Sequence, residues 1–489
     1  MILLAKLEHS AVSLTGAVYS PNGQYLYASD NANNGTIDAY KVAGNGTVTY
    51  IGSVILPSPQ GVSTIPAGLA ISANGQTIYA ALNGLNSLAV IDVPTLKVTA
   101  QIPVGNGPYG VAVDGSTAWV TNEGGIVPTG NDPTNSSDGT NILVNPATGG
   151  ASTGSVSAVD LQSGTVKYTV QVGLEPTALV LRGNMLFVAN TNSDTISAIN
   201  TETGKVAYTS PLFPGTLYGS QPNDINFLKD GRLIVSLGGN NALALYKFNR
   251  GNLTVPPVLD GLIPTGWYPG FIAIDKGHNQ IVVSNVRGIG LEGPNITKGP
   301  DPSTNKTGPA EISTYSVVAL VDVPNTQQLA AYTQTVIQNN SFLNGHKSEG
   351  SDEGDGSVPV PNHLGDPSPI KHVFYIIKEN RTYDQVLGDE TRGNGDPNFT
   401  QFDEQATPNS HALERQFVLL DNFYAPSLNS ADGRQWANQA LAPDYLEKEL
   451  ITNARSYPSA GGDALAYASS GFLWQNLVDH GGTLRVYGE

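Results

Sequence analysis

Apolar and polar positions alternate along the first two thirds of the chain, and turns rich in Gly, Asn and Pro break the alternation at regular intervals. One stretch beginning at Pro66 reads PAGLAISANGQTIYAALNGLNSLAVIDVPTLKVTAQIPVG. It is a run of strands separated by short turns. The same order returns from Pro108 (PYGVAVDGSTAWVTN, resumed at GSVSAVDLQSGTVKYTVQVG), Pro176 (PTALVLRGNMLFVANTNSDTISAINTETGKVAYTS), Pro222 and Pro269. An earlier copy starts at Gly16 (GAVYSPNGQYLYASDNANNGTIDAYKV). Uninterrupted copies lie about 42 to 47 residues apart, the length of one four-stranded propeller blade. Alternation such as Thr195-Ile196-Ser197-Ala198-Ile199 sends successive side chains to opposite faces, and NGQ, DGS and TETGK supply hairpin turns. A single blade cannot bury both faces, so the copies must stack around an axis. Six copies predict an all-β propeller over residues 1–340.

Two copies are interrupted, at 123–153 and at 287–312, by segments too polar and too rich in Gly, Pro and Asn for core. They read as rim loops that either contact a neighbour or decorate the surface. The periodicity stops at Ser341, and residues 341–369 form an acidic, Gly-rich and then Pro-rich linker by composition. Beyond it the texture changes. The apolar run His372 to Ile377 reads as a buried parallel strand, NSHALERQF as a short helix and VLLDNFY as a second strand. ADGRQWANQALAPDYLEKEL and SGFLWQNLVDHG read as helices, and TLRVYGE as a third strand. Strand–helix–strand alternation predicts a partial α/β domain with a mostly parallel sheet over 370–489.

Composition narrows the chemistry. Of the 489 residues only 13% are charged, with Gly 55 and Pro 32, which suits short strands and tight turns. A net charge of −17 argues against nucleic acid as a partner, yet admits phosphorylated substrates where a bound metal supplies the positive charge. With no cysteine, disulfides, zinc–thiolate sites and thiol nucleophiles are excluded, and little is left to oxidise. No apolar run reaches transmembrane length, and MILLAKLEHSAV has no adequate core or cleavage site for a secretory signal.

Trp119-Val120-Thr121-Asn122 and Phe187-Val188-Ala189-Asn190 resemble the signature of YVTN-family β-propellers over roughly residues 13–340. Relatives commonly have seven blades, so the resemblance implies a further blade upstream or one completed by MILLAKLEHSAVSL. KHVFYIIKENRTYDQVLGD, TPNSHALERQFVLLDNFY and SADGRQW resemble the phosphoesterase family of bacterial phospholipases C and acid phosphatases, within the alkaline-phosphatase-like superfamily. The combination is similar to bacterial proteins that fuse a YVTN propeller to such a domain. The resemblance implies a periplasmic or secreted hydrolase of phosphate esters that uses a divalent metal ion, with the propeller binding substrate, a polymer or a protein.

Glu379 and Asn380 follow the first predicted strand, at the carboxyl end where open α/β sheets gather ligands, and offer hard oxygen donors. The resemblance gives this Glu-Asn pair the role of metal ligands; otherwise Glu379 pairs with Arg381 and Asn380 caps a turn. Ser430 precedes a predicted helix, where free N–H groups favour an attacking oxygen and an incoming phosphate. It falls where the family has its nucleophile, while a plain N-cap serine is the simpler alternative. Thr407 is a weaker competitor, and His411 reads as structural. Asp432 is a metal ligand or a helix cap. Arg434 stands where relatives carry His, and its planar fork suits phosphate. Arg381 and Asp384 belong to the same block as supports. Relatives bring further Asp and His ligands from beyond a YGE-like segment, whereas this chain stops at Glu489. The resemblance therefore implies the front portion of a longer enzyme, with an incomplete metal site.

Two rivals stand beside this reading. One is a non-catalytic propeller binding module carrying an inert phosphoesterase remnant. The other is an enzyme centred on the propeller axis, for which only Asp224 and Glu175 offer carboxylates near blade openings.

Overall fold

The computed structural model describes residues 16–31, 34–212, 219–288, 316–340, 359–360, 367–425, 427, 429–452, 455 and 462–487. Its contacts divide the chain into two units, Met1–Leu343 with Asn438–Glu489, and Asn344–Ala437. Residues 370–489, expected as one domain, thus fall in both.

The first unit holds a six-bladed β-propeller of antiparallel sheets at 17–55, 66–103, 106–172, 176–211, 222–264 and 267–322. The first five sheets have four strands, and three are described for the sixth. Within the fourth blade the strands Pro176–Arg182, Met185–Asn190, Thr195–Asn200 and Lys205–Pro211 lie in sequence order. Met185–Asn190 is buried at every position, while Lys205–Pro211 at the rim is largely exposed. Alternation decides which neighbour each side chain meets. Leu186 and Val188 pack with Trp119 and Val156 of the third blade. Phe187 and Ala189 point the other way, against Ile225 and Val235 of the fifth. Full burial of such a side chain is worth roughly 1.5–3 kcal/mol, so both faces contribute.

The asparagine that ends each signature tetrapeptide has a defined structural task. Asn122 donates its amide to Ser155 Oγ and Ser157 Oγ, both at 3.0 Å. Asn190 donates likewise to Thr195 Oγ1 at 3.0 Å and Ser197 Oγ at 2.9 Å. Each side chain thus ties the second strand of its blade to the third. The backbone entering the blade passes so close that only glycine fits: a Cβ at Gly105 would lie 2.6 Å from Asn122 Cγ, and one at Gly173 2.7 Å from Asn190 Cβ. The turns after the second strands recur too, with Asn86, Asp194 and Asn241 all at φ 51°, a left-handed conformation that Asn and Asp tolerate.

The innermost strands pack on one another in order from Ala17–Tyr19 to Trp267–Asp275. No comparable packing joins the last of these to the first among the described residues. The proposed completion by residues 1–14 lies outside those residues, as do most of the 287–312 interruption and most of the 341–369 linker. The 123–153 interruption is more than loop: Thr134–Ser137 pairs with Thr140–Leu143, and Ile142 and Val144 pack on Ala464. Helix Thr326–Asn339, opened by a capping box at Asn325, lies on the outer strand of the fifth blade, where the Thr333 hydroxyl accepts from Leu262 N at 2.9 Å.

The region 370–489 differs from the expected parallel sheet. Helices form at Tyr383–Leu387, Pro408–Gln416, Ser430–Gln439, Asp444–Thr452 and Leu473–Asp479, but no strand occurs there among the described residues. In the apolar run of 372–377, Val373, Phe374 and Ile376 are 81%, 90% and 80% exposed. Phe417, Val418 and Tyr424 are likewise exposed. A parallel strand exists only by hydrogen bonding to neighbours whose crossover helices cover both faces, and these runs have no such neighbours among the described residues. No helix among the described residues is long and apolar enough to cross a membrane.

Asn190→Ala should lower the protein's stability to chemical denaturation by about 1–3 kcal/mol, because buried hydroxyls lose their partner. Lys205→Ala, on the exposed rim strand, should change it by less than about 0.5 kcal/mol.

Candidate functional site

In the unit Asn344–Ala437, Ser430 is the first residue of helix Ser430–Gln439 and is half-buried. Capping falls to its neighbour: Asn429 Oδ1 accepts from Asp432 N at 3.1 Å, and Asn429 O from Gly433 N at 2.9 Å. The simpler alternative, in which Ser430 serves as the cap, is therefore filled by another residue. Asp432 is buried. Arg434, one turn along the same face from Ser430, places Nε 3.6 Å from Glu379 Oε2, both side chains being part-exposed. Glu379 thus approaches Arg434 rather than the expected Arg381. Arg381 donates to the Asn380 carbonyl at 2.8 Å and lies over the Phe402 ring, 5.1 Å from its centre. Asp384 accepts from Asp396 N at 3.1 Å, holding the turn beyond helix Tyr383–Leu387. Of the two, Arg381 contacts the loop that carries Glu379 and Asn380.

Thr407, His411 and Asp389 stand in a row that outwardly resembles a catalytic triad. Thr407 Oγ1 is 3.1 Å from His411 Nδ1, and His411 Nε2 is 3.2 Å from Asp389 Oδ1. Proton bookkeeping argues against that role. Nδ1 also faces the Thr407 carbonyl at 3.0 Å and must donate there, while the hydroxyl donates to the carbonyls of Phe402 and Asp403. The imidazole has no lone pair left for the threonine proton, and buried His411 is a structural brace.

The donors fit a hard divalent cation in kind, a carboxylate from Glu379 and an amide oxygen from Asn380. They do not fit in number: no group of three or more His, Asp or Glu suited to a metal occurs among the described residues, and a guanidinium already faces Glu379.

A second concentration of charge lies at one end of the propeller axis, built from the first unit alone. Its blade residues include Glu123, Glu175 and Arg287, all nearly inaccessible to solvent, and part-buried Asp224. They meet the segment 441–469. Arg287 Nε and Nη2 hold Glu447 Oε2 at 2.9 and 2.6 Å. Asp444 Oδ1 accepts from Tyr268 Oη at 2.6 Å and from Asn223 Nδ2 at 3.2 Å, while Oδ2 lies 3.0 Å from Lys448 Nζ. Arg455 donates to Asn83 Oδ1 and, at 2.8 Å, to Ser137 Oγ. Of these, sequence reasoning found only Glu175 and Asp224. Glu123 and Arg287 follow shortly after the asparagines of WVTN and VVSN, so position relative to the repeat was the signal available.

Burial pushes the Glu175 carboxyl well above its ordinary range, reinforced by the nearby charge of Glu123 and opposed by the hydrogen bond from Asn192. Burial also lifts Asp224 from 3.8 to about 6, against the pull of the Ile272 and Ile225 N–H groups and of Lys448. With Asp463, six carboxylates near one axis thus face three cations, with protonation absorbing part of the excess.

No family model matches the chain, and no curated protein matches it either.

A carboxyl whose folded value is raised keeps its proton in the folded state after the unfolded chain has lost it. Its contribution to stability is therefore present at low pH and is lost as pH rises from 3.8 to about 6. Asp224→Asn should show a smaller fall in thermal midpoint than the unaltered protein across that window, with the two curves parallel above it. Thermal melts at closely spaced pH values measure this difference.

Proposed function

We propose that this chain is the propeller-bearing part of a metal-dependent hydrolase of phosphate esters working outside the cytoplasm, as its resemblance to fusions of a YVTN propeller with a phosphoesterase domain implies. The observation that carries this reading is Glu379 beside Arg434 on the helix that Ser430 heads. A hydroxyl, a guanidinium one turn along the same face and a carboxylate next to it are the groups a phosphate monoester or diester needs around phosphorus. Arg434 orients two phosphate oxygens through its fork, and the helix N-terminus favours the negative charge. Ser430 Oγ gives up its proton to solvent and attacks phosphorus, the bond to the leaving alkoxide breaks and the alkoxide takes a proton from water; a second water then cleaves the phosphoseryl bond, restoring the serine and releasing phosphate from a monoester or a phosphate monoester from a diester.

Glu379 and Asn380 are the residues of this chain that would hold the metal ion, at a site that needs more ligands than the described residues supply. When bound, such an ion neutralises phosphate charge and lowers the pKa of a hydroxyl beside it. The α/β domain with a mostly parallel sheet belongs to the same proposal, because the exposed apolar runs at 372–377 and 417–424 are of the kind such a sheet buries. A binding module with an inert remnant is the second reading, favoured by the shortage of metal ligands among the described residues and by the propeller, a fold of the binding type.

The protein supplied in turn with Mn²⁺, Zn²⁺ and Ca²⁺ should hydrolyse a chromogenic phosphate ester. Ser430→Ala should reduce the rate at least about a hundredfold, and Arg434→Ala by about 10²–10³. Undiminished activity in Ser430→Ala would remove the serine from the mechanism. No hydrolysis by the unaltered protein with any of the three ions would favour the binding module.

A further inference from the structure

We propose that the axial face of the propeller is a docking site for residues 441–452, 455 and 462–469 of the same chain, which act as a clasp tying blades together across its axis. The proposal rests on the first unit alone and is independent of the hydrolase reading.

Propellers need closure, because a blade at either end of an open ring has one apolar face without a neighbour. Here no strand packing like that between successive blades joins the sixth blade to the first among the described residues. It also leaves Val318 and Leu320 of its third described strand 43% and 50% exposed. The clasp supplies links of another kind. Its helix Asp444–Thr452 grips the sixth blade through Glu447 on Arg287 and Asp444 on Tyr268. The same turn reaches other blades, with Lys448 Nζ 5.9 Å from the Tyr109 ring centre in the third and 5.2 Å from that of Phe271 in the sixth. Gln221 of the fifth blade donates to the Ala442 carbonyl. Arg455 reaches Asn83 of the second, and Asn192 of the fourth donates to the Tyr467 carbonyl at 2.8 Å and accepts from Ser469 N at 2.9 Å. Five of the six blades are thereby tied to one short segment.

The chemistry of the face selects this occupant. Its blade contacts are a buried guanidinium, a tyrosine hydroxyl and the side-chain amides of Asn83, Asn192, Gln221 and Asn223, a set that accepts a polar helix rather than an apolar one. The sequence DYLEK offers it Asp, Glu and Lys at spacings of three and four residues, on one helical face. The ion pair of Arg287 with Glu447 is almost wholly buried, so removing one partner takes a close counter-charge from the other in a place water does not reach.

The test is charge exchange in the full chain, read by hydrogen exchange. Arg287→Glu and Glu447→Arg, each alone, should speed exchange at Asp444–Lys448 at least about tenfold and also in Trp267–Asp275 of the sixth blade, and the double variant should restore much of the protection in both. Faster exchange at Asp444–Lys448 with Trp267–Asp275 unchanged would overturn the clasp, leaving a surface attachment that the ring does not need. Should the single variants not fold, the unaltered protein decides the matter. Amides of Leu446–Lys448 exchanging within about tenfold of those in Met185–Asn190 support the proposal, and exchange at the rate of an exposed helix overturns it.

Discussion

A sheet that is apolar on both faces has no stable existence by itself, and this constraint organises the first unit. Phe187 and Leu186, adjacent in one strand, must bury against different neighbours, so each blade needs one before it and one after. The repeat in the chain is the consequence. The asparagine–hydroxyl ties at Asn122 and Asn190 hold the middle strands of a blade in register, and the glycine closeness at 105 and 173 lets the chain pass from one blade into the next. The same constraint makes the ends of the ring the weak point, and the axial segment ties the sixth blade at one end to the four that precede it.

The axis shows how a fold of low charge content manages a local surplus of acid. Among the described residues, Glu123, Glu175, Asp224, Asp444, Glu447 and Asp463 gather there with the cations Arg287, Lys448 and Arg455. Pairing and hydrogen bonds from amides and tyrosines satisfy part of the surplus, and burial raises Glu175 and Asp224 so that protons satisfy more. Near the Asp224 and Glu175 that alone suggested an enzyme centred on the axis, Asp444 and Glu447 of the chain's own helix face Tyr268 and Arg287.

The unit carrying Ser430 is built on other terms. Its order comes from short helices, capping interactions and a network in which Glu390 and Glu414 hold Arg392 and Arg415, rather than from a sheet. That network leaves the loop of Glu379 and Asn380 close to the helix of Arg434, and it leaves the longest apolar runs in solvent. An apolar run without a covering partner is costly, which is the physical reason to regard these runs as surfaces made for burial.

Much of the propeller was legible in the chain, because strand alternation has period two and blade length has its own period, both local properties. Blade number, strand order and turn positions follow from them. The metal and nucleophile candidates were legible only as residue types at element ends; which of them approach one another, Glu379 with Arg434 instead of Arg381, depended on the fold. The parallel sheet was read from apolar runs, but a strand is a relation between segments, and no run specifies its neighbour. For the same reason nothing in DYLEKEL announced that this helix belongs with the propeller. Its match to Arg287, Tyr268 and Asn223, more than 150 residues earlier in the chain, exists only once the blades have brought those three to one axis.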